Sequence, residues 1–184
     1  MGGNIPTATK AAHNRFVWGI LALLLYLGWT GHNYLKQRKR AFEKALQLAK
    51  DKGIINLGSG TVKRFNPLYP WDYKLMNKIA SHPKMRVNLD FEKNGVPNFM
   101  RWDLAKNLPF GDKEFDVAFM SHILEHLTDW NETLREARRI ADYVVIVLPN
   151  PFSPGHHCCV EHKQFFDFDD IKELRKLPNV HVYV

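Results

Sequence analysis

The sequence predicts a mostly parallel α/β sheet between Ile54 and Asn150, preceded by one transmembrane helix. Short apolar runs recur in this part of the chain as IINL, VNL, FDVAFM and VVIVL. Each run ends at Gly, Asp, Ser-His or Pro-Asn, and parallel sheets carry ligand-binding groups at such strand ends. The second observation is a long segment without charged residues just before the sheet.

That segment covers residues 16–35, follows a polar tail at 1–15, and contains no Asp, Glu, Lys or Arg. At about 1.5 Å per residue, 20 helical residues match the ~30 Å hydrocarbon core of a bilayer. Aromatic rings near its ends favour the membrane interface: Trp18, Tyr26, Trp29 and Tyr34. A cleaved signal peptide is disfavoured because no A-x-A-like site follows, and a core helix of a soluble protein is the other alternative.

The charge distribution agrees with a membrane location. The formal net charge of +7 lies entirely in residues 1–52, and residues 53–184 are neutral. The basic residues flank the apolar segment, so a lipid bilayer explains them better than nucleic acid does. Because positive charge follows the segment at Lys36–Arg40, the positive-inside bias predicts a single-pass protein with its globular part on the cytoplasmic side.

Residues 36–52 predict a basic linker helix that ends at Gly53. Phe42, Ala45, Leu46 and Ala49 share one face, which fits packing either on the domain or on the membrane surface. The remaining residues, 53–184, are enough for one compact core.

The first predicted strand, Ile54–Leu57, runs into Gly58, Ser59 and Gly60, where a ligand can approach the backbone closely. Two common motifs do not fit this turn. A dinucleotide G-x-G-x-x-G pattern would need glycine at Lys63, and a hydrolase G-x-S-x-G elbow would need glycine at Leu57.

The second predicted strand, Arg86–Leu89, places Asp90 at its tip. A carboxylate there can accept both hydroxyl protons of a ribose diol. A turn or helix-cap aspartate is an equally good interpretation of the residue alone.

The strand Phe115–Met120 ends at Ser121 and His122, and a helix would place His122, Glu125 and His126 on one face. Such a set suits acid–base chemistry or a metal, but the spacing is not H-E-x-x-H, so no metal site is predicted. The loop after the VVIVL strand holds further possible metal ligands, but they lack C-x-x-C spacing: His156, His157, Cys158, Cys159 and His162. We expect this loop to cover a pocket.

Taken together, these motifs resemble a small type 11-like class I methyltransferase that uses S-adenosylmethionine. The resemblance covers about residues 53–166 and rests on INLGSG, VNLD, WDL before LPF, FDVAFMSHILEHL, LREARRI and VVIVLPN. It implies a Rossmann-like sheet and a cofactor site. Gly58, Ser59 and Gly60 would line the methionine and ribose, and Asp90 would hold the ribose hydroxyls. Asp103 and Leu104 would face the adenine, and Ser121 and His122 would lie beside the sulfonium, with His122 a candidate catalytic base.

The chain departs from this family's pattern in several places. Asn56 stands where the first glycine motif usually has an acid, Val62 replaces the third glycine, and no Pro-Gly-Gly precedes Tyr143. After the fifth strand there is room for a helix near Asp169–Leu177 and one short strand, so a shortened C-terminal part is expected.

Two functions follow from these features. One is a membrane-anchored methyltransferase acting on an unknown acceptor. The other is a catalytically inactive protein of the same fold that serves as a membrane-bound subunit of a larger assembly or virus particle. We expect contacts with a bilayer, and with other subunits under the second hypothesis, but no nucleic acid.

Overall fold

The computed structural model describes residues 7–60, 70–93, 95–153 and 160–184. Contacts divide the chain into two compact units, Met1–Asn33 and Tyr34–Val184. Four helices are described in order along the chain: α1 Thr7–Leu48, α2 Pro70–Ala80, α3 Trp130–Ile140 and α4 Phe168–Lys176. The strands are β1 Ile54–Leu57, β2 Met85–Asp90, β3 Phe99–Arg101, β4 Phe115–Ser121, β5 Ala141–Val147 and β6 Val180–Tyr183.

The described strands form one six-stranded sheet in the order β3-β2-β1-β4-β5-β6, and every neighbouring pair is parallel. The predicted parallel α/β fold is therefore confirmed. Strand order reverses between β1 and β4, and ligands of open α/β sheets bind at such a switch point, outside the carboxyl ends of the strands. Leu57 pairs with both Leu89 and Met120, so the chain segments that follow β1, β2 and β4 leave the sheet side by side.

The core lies on both faces of the sheet, in two clusters of buried side chains. All seven residues of β4 are buried, which explains its nearly continuous apolar sequence. On one face, Phe42 and Ala45 near the end of α1 and Ala49 just after it pack against the sheet, with Leu46 partly buried beside them. The sequence allows this face of the helix to pack either on the domain or on a membrane surface. In the structure it packs on the domain.

The predicted transmembrane helix over residues 16–35 requires correction. Residues 16–35 do lie in α1, yet across the described ranges no helix combines the length and apolar character that crossing a bilayer demands. The physical reason is the polar group Thr30, His32 and Asn33. These residues limit the uninterrupted apolar stretch to 16–29, which covers only about 21 Å of helix against a ~30 Å hydrocarbon core.

The C-terminal elements agree with the sequence. Helix α4 begins at a capping box in which Asp167 accepts hydrogen bonds from the backbone N–H groups of Asp169 and Asp170. Strand β6 then adds in parallel to β5, with Val180 opposite Val144. The expected helix near Asp169–Leu177 and the one short strand after it are both present.

A buried ion pair fixes the segment before β4 to helix α3. Glu136 accepts a hydrogen bond from Leu108 N at 2.9 Å and pairs with Arg139, whose guanidinium also donates to Leu108 O and Phe110 O. The hydrogen bond from Arg139 is the main cause that lowers the pKa of Glu136 to about 2.

We expect the Glu136→Gln variant to lose roughly 2–3 kcal/mol of unfolding free energy near neutral pH. The folded-state pKa of Glu136 lies below its ordinary value of 4.5, so its stabilisation is present above that value and fades as pH falls towards 2. Denaturant melts of both proteins should therefore converge in acid. A difference that stays constant between neutral pH and pH about 2 would contradict this account.

Candidate cofactor site

The turn after β1 lies at the switch point and has the conformation that glycine permits. Gly58 and Gly60 have φ values of +76° and +72°. The N–H groups of Gly58 and Ser59 both donate to Leu89 O, at 2.8 and 3.0 Å, so the turn is fixed to the end of β2. A Cβ atom on Gly58 would lie 2.6 Å from Cγ1 of Ile123, whereas one on Gly60 would lie 3.8 Å from Cε of Met76, its nearest neighbour among the described residues.

Asp90 ends β2 as predicted, and its carboxylate faces this turn. Oδ2 accepts a hydrogen bond from Gly60 N at 2.7 Å, and Oδ1 accepts one from Glu92 N at 3.1 Å. A carboxylate has about four acceptor positions, so these bonds leave capacity for a ribose diol. The turn interpretation of Asp90 is thus confirmed, and the ligand interpretation stays compatible with it.

Asp103 and Leu104 have structural roles. Asp103 Oδ1 accepts from Ala105 N at 3.0 Å, which closes a turn. The Leu104 side chain lies in the core, and its carbonyl accepts from the Thr133 hydroxyl at 3.0 Å. Only 7% of Leu104 is exposed. Its side chain therefore has little surface with which to contact an adenine.

Trp102 is a further candidate site residue, which the sequence alone does not single out. Its backbone N–H donates to Asp90 O at 2.9 Å, which places Trp102 beside the end of β2. Its indole Nε1 is buried and has no hydrogen-bond partner among the described residues. A buried N–H without an acceptor is costly, so this group suits a ligand acceptor atom. The available signal is its position in the WDL motif, directly before Asp103.

Ser121 is the last residue of β4, and His122 follows it at the same edge of the sheet. The Ser121 hydroxyl is buried and lacks a partner within the described ranges. His122 has a φ of +54°, and its N–H donates to Val147 O at 3.0 Å, so its backbone is held in an uncommon conformation between β4 and β5. Non-glycine residues in such conformations concentrate at functional sites.

The His122 ring is oriented by two neighbours. Its Nδ1 lies 3.1 Å from Oε1 of Glu125, and its ring packs against Tyr34 with 4.5 Å between ring centroids. With the proton on Nδ1, this nitrogen donates to Glu125 and Nε2 is the basic nitrogen. Burial raises the pKa of Glu125, but the hydrogen bond and charge of His122 outweigh it and hold that pKa below its ordinary value.

Tyr34 and Arg38 lie next to His122 or its neighbour, and the sequence alone does not indicate either as a site residue. Tyr34, predicted at a membrane interface, contacts His122. The hydroxyl of Tyr34 accepts a hydrogen bond from Arg38, and the guanidinium of Arg38 also lies over the Tyr34 ring.

The prediction that a helix places His122, Glu125 and His126 on one face is wrong. Because His122 has positive φ, the helix starts later and is a single 3-10 turn over Leu124–His126.

The loop after β5 returns to this turn. The N–H groups of Lys163 and Gln164 donate to Glu125 O at 2.7 and 3.0 Å. His162 thereby packs edge-on against His126, with 4.8 Å between ring centroids. The other predicted loop ligands, 156–159, lie outside the described residues.

We expect Asp90→Ala to weaken binding of S-adenosylhomocysteine by about 1.5–3 kcal/mol, the scale of hydrogen bonds to a charged group. The loss has two causes, since the carboxylate both holds Gly60 N and would accept the ribose hydroxyls. Calorimetric titration of the full chain measures it. Asp103→Ala serves as the control, and a smaller effect at Asp90 than at Asp103 would contradict the assignment.

Comparisons with known proteins relate the chain to methyltransferases. A methyltransferase domain family model matches residues 55–142. A SAM-dependent methyltransferase of Thermotoga maritima, described as a possible histamine N-methyltransferase, is 17% identical, with 86% of this chain and 74% of that chain covered and a TM-score of 0.48.

A second solved structure is the complex between the Haloferax volcanii Trm112 methyltransferase activator and a methyltransferase. It is 17% identical, with 65% of this chain and 53% of that chain covered and a TM-score of 0.38. No curated protein matches the chain. The family match supports a class I methyltransferase and implies S-adenosylmethionine as the cofactor.

Proposed function

We propose that the protein transfers a methyl group from S-adenosylmethionine to an acceptor bound at the carboxyl end of β4, with His122 as general base. The observation that carries this proposal is the His122–Glu125 pair directly after β4, next to the glycine turn. A basic nitrogen oriented by a buried carboxylate is a recurring arrangement for proton removal.

Methyl transfer requires little of the protein beyond positioning the acceptor and the cofactor. When bound, S-adenosylmethionine would supply an electrophilic methyl group to the acceptor atom and would leave as S-adenosylhomocysteine. The proton of the acceptor passes to Nε2 of His122. Glu125 stabilises the imidazolium that forms, and Tyr34 keeps the ring from rotating by packing against it.

Methyl transfer from labelled S-adenosylmethionine to membrane and cytosolic fractions tests this proposal. We expect incorporation with the unaltered full chain and at least a hundredfold less with His122→Ala, the usual scale of a lost general base. His32→Ala is the matched control, because His32 is an exposed histidine outside the site. No label above the His122→Ala background would contradict the proposal.

The alternative function is an inactive structural subunit of a larger assembly. One observation favours it: Asp90 and Asp103 each accept backbone hydrogen bonds that hold turns, so folding alone accounts for both residues. Under this alternative, neither cofactor binding nor methyl transfer is measurable, whereas substitutions in buried strands still impair assembly.

We also propose that the N-terminal helix binds a lipid bilayer through its apolar side chains. Large apolar residues are exposed along it: Val17, Trp18, Ile20, Leu21, Leu23, Leu24, Leu25, Tyr26 and Trp29. Three exposed cations follow, Lys36, Lys39 and Arg40, which suits anionic headgroups. The cytoplasmic placement of the globular part and contacts with other subunits stay predictions.

Sedimentation with vesicles tests this attachment. We expect the full chain to sediment with phosphatidylcholine–phosphatidylserine vesicles, and the Leu24→Asn, Leu25→Asn double variant to remain largely in the supernatant. Phe152→Asn is the control, because Phe152 is an exposed apolar residue far along the chain. Equal sedimentation of the double variant and the unaltered protein would contradict the attachment.

A further inference from the structure

We propose that Glu125, His126 and His162, called here the Glu125 cluster, bind a divalent transition-metal cation. One ligand atom from each residue lies within 4.8 Å of the others. Two ligands of one ion at ~2.1 Å are at most about 4.2 Å apart, so less than an ångström of side-chain movement closes the site.

The buried carboxylate of Glu125 is the second, independent observation. Its side chain is only 1% exposed. One oxygen is bonded to His122, while Oε2 has no hydrogen-bond partner in the described part of the chain. A buried carboxylate oxygen without a donor is costly, and buried charges are normally paired or coordinate metals. A cation beside His126 and His162 supplies the missing partner.

The surroundings of His126 have the form expected around a metal ligand. Its Nδ1 lies 3.2 Å from the carbonyl oxygen of Glu161. A histidine that binds a metal usually donates its other ring N–H to a carbonyl or carboxylate, which fixes the tautomer and the ring orientation. The bond to Glu161 O therefore favours the tautomer whose Nε2 lone pair is available to an ion.

The backbone holds the cluster together across a long stretch of sequence. Glu125 and His126 belong to the 3-10 turn after β4, while His162 comes from the loop after β5. The bonds from Lys163 N and Gln164 N to Glu125 O join these two segments next to the cluster. The ligand positions are thus set by the main chain, which lowers the cost of ordering them on binding.

The ligand set indicates the class of cation. Two imidazoles and one carboxylate suit Zn²⁺, Fe²⁺, Co²⁺ or Mn²⁺, whereas Ca²⁺ and Mg²⁺ prefer sites made of oxygen alone. Three protein ligands leave at least one coordination position for water or another oxygen ligand, as in metal sites that are not purely structural.

Titration of the chelator-treated full chain with Co²⁺ tests the proposal, since visible absorption reports the coordination of cobalt without any activity assay. We expect one ion per chain and an affinity at least tenfold lower for His126→Ala and for His162→Ala. His162 is partly exposed in the loop directly after a turn, so His162→Ala should leave folding intact even if Glu125→Gln does not. His32→Ala is the matched control and should bind as the unaltered chain does.

Three outcomes overturn the proposal. The first is no stoichiometric Co²⁺ binding by the unaltered protein. The second is unchanged affinity in both His126→Ala and His162→Ala. The third is an intense thiolate-to-cobalt absorption band that Cys158→Ser or Cys159→Ser removes, because the loop cysteines would then be the ligands.

Discussion

Replacement of Gly58 by valine is expected to abolish measurable binding of S-adenosylhomocysteine. Gly58 has a φ of +76°, which a β-branched residue adopts only with strain. Its Cβ would also lie 2.6 Å from Ile123, the residue that follows His122. Relief of that clash moves either the glycine turn or the segment that carries His122, and both form the site.

Calorimetric titration of the folded full chain measures this loss. Gly60→Ala is the matched control, since Gly60 has nearly the same φ, and among the described residues its added Cβ would come no closer than 3.8 Å to another atom, Cε of Met76. We expect the control to carry only the conformational cost of about 1–2 kcal/mol. Cofactor binding by Gly58→Val as tight as that of Gly60→Ala would show that the turn does not form the site.

Phe119→Ala is expected to lower the free energy of unfolding by about 3–5 kcal/mol, the range for removal of a fully buried aromatic ring. Phe119 is 0% exposed, lies in β4 between β1 and β5, and packs edge-on against Phe42 with 5.8 Å between ring centroids. The cavity would open beneath the strand that carries Ser121 and His122.

Chemical denaturation of the full chain measures this effect. Phe152→Ala is the control, because Phe152 is 71% exposed and its truncation should change stability by no more than about 0.5 kcal/mol. If Phe119→Ala and Phe152→Ala are equally mild, β4 is not the buried central strand described above.

The central strands could be predicted because burial on both faces leaves a simple pattern. Strands β1, β4 and β5 each read as a short apolar run, and the residues after them are Gly58, His122 and Leu148. Asp90 was placed one residue beyond a predicted strand, and it is the last residue of β2. The approximate positions of strand ends, unlike side-chain contacts between distant segments, can be predicted from local sequence.

The rest of the site depends on contacts between segments that are distant in sequence, and the local pattern of apolar residues does not predict such contacts. From the sequence, Tyr34 is recognisable only as an aromatic residue near the end of an apolar run. Its contact with His122 depends on the packing of the last part of α1, after residue 33, against the sheet. Similarly, the positive φ of His122 changed a predicted helix face into a 3-10 turn. His162 joins that turn through main-chain bonds from the residues that follow it.

A crystal structure of the full chain with S-adenosylhomocysteine tests the assignment of the cofactor site most directly. We expect the ligand at the carboxyl ends of β1, β2 and β4, with its backbone contacts at Gly58 and Gly60. Its ribose hydroxyls should lie about 2.5–3.0 Å from the carboxylate of Asp90. A ligand bound elsewhere, with no ribose hydroxyl within hydrogen-bonding distance of the carboxylate of Asp90, would contradict the account.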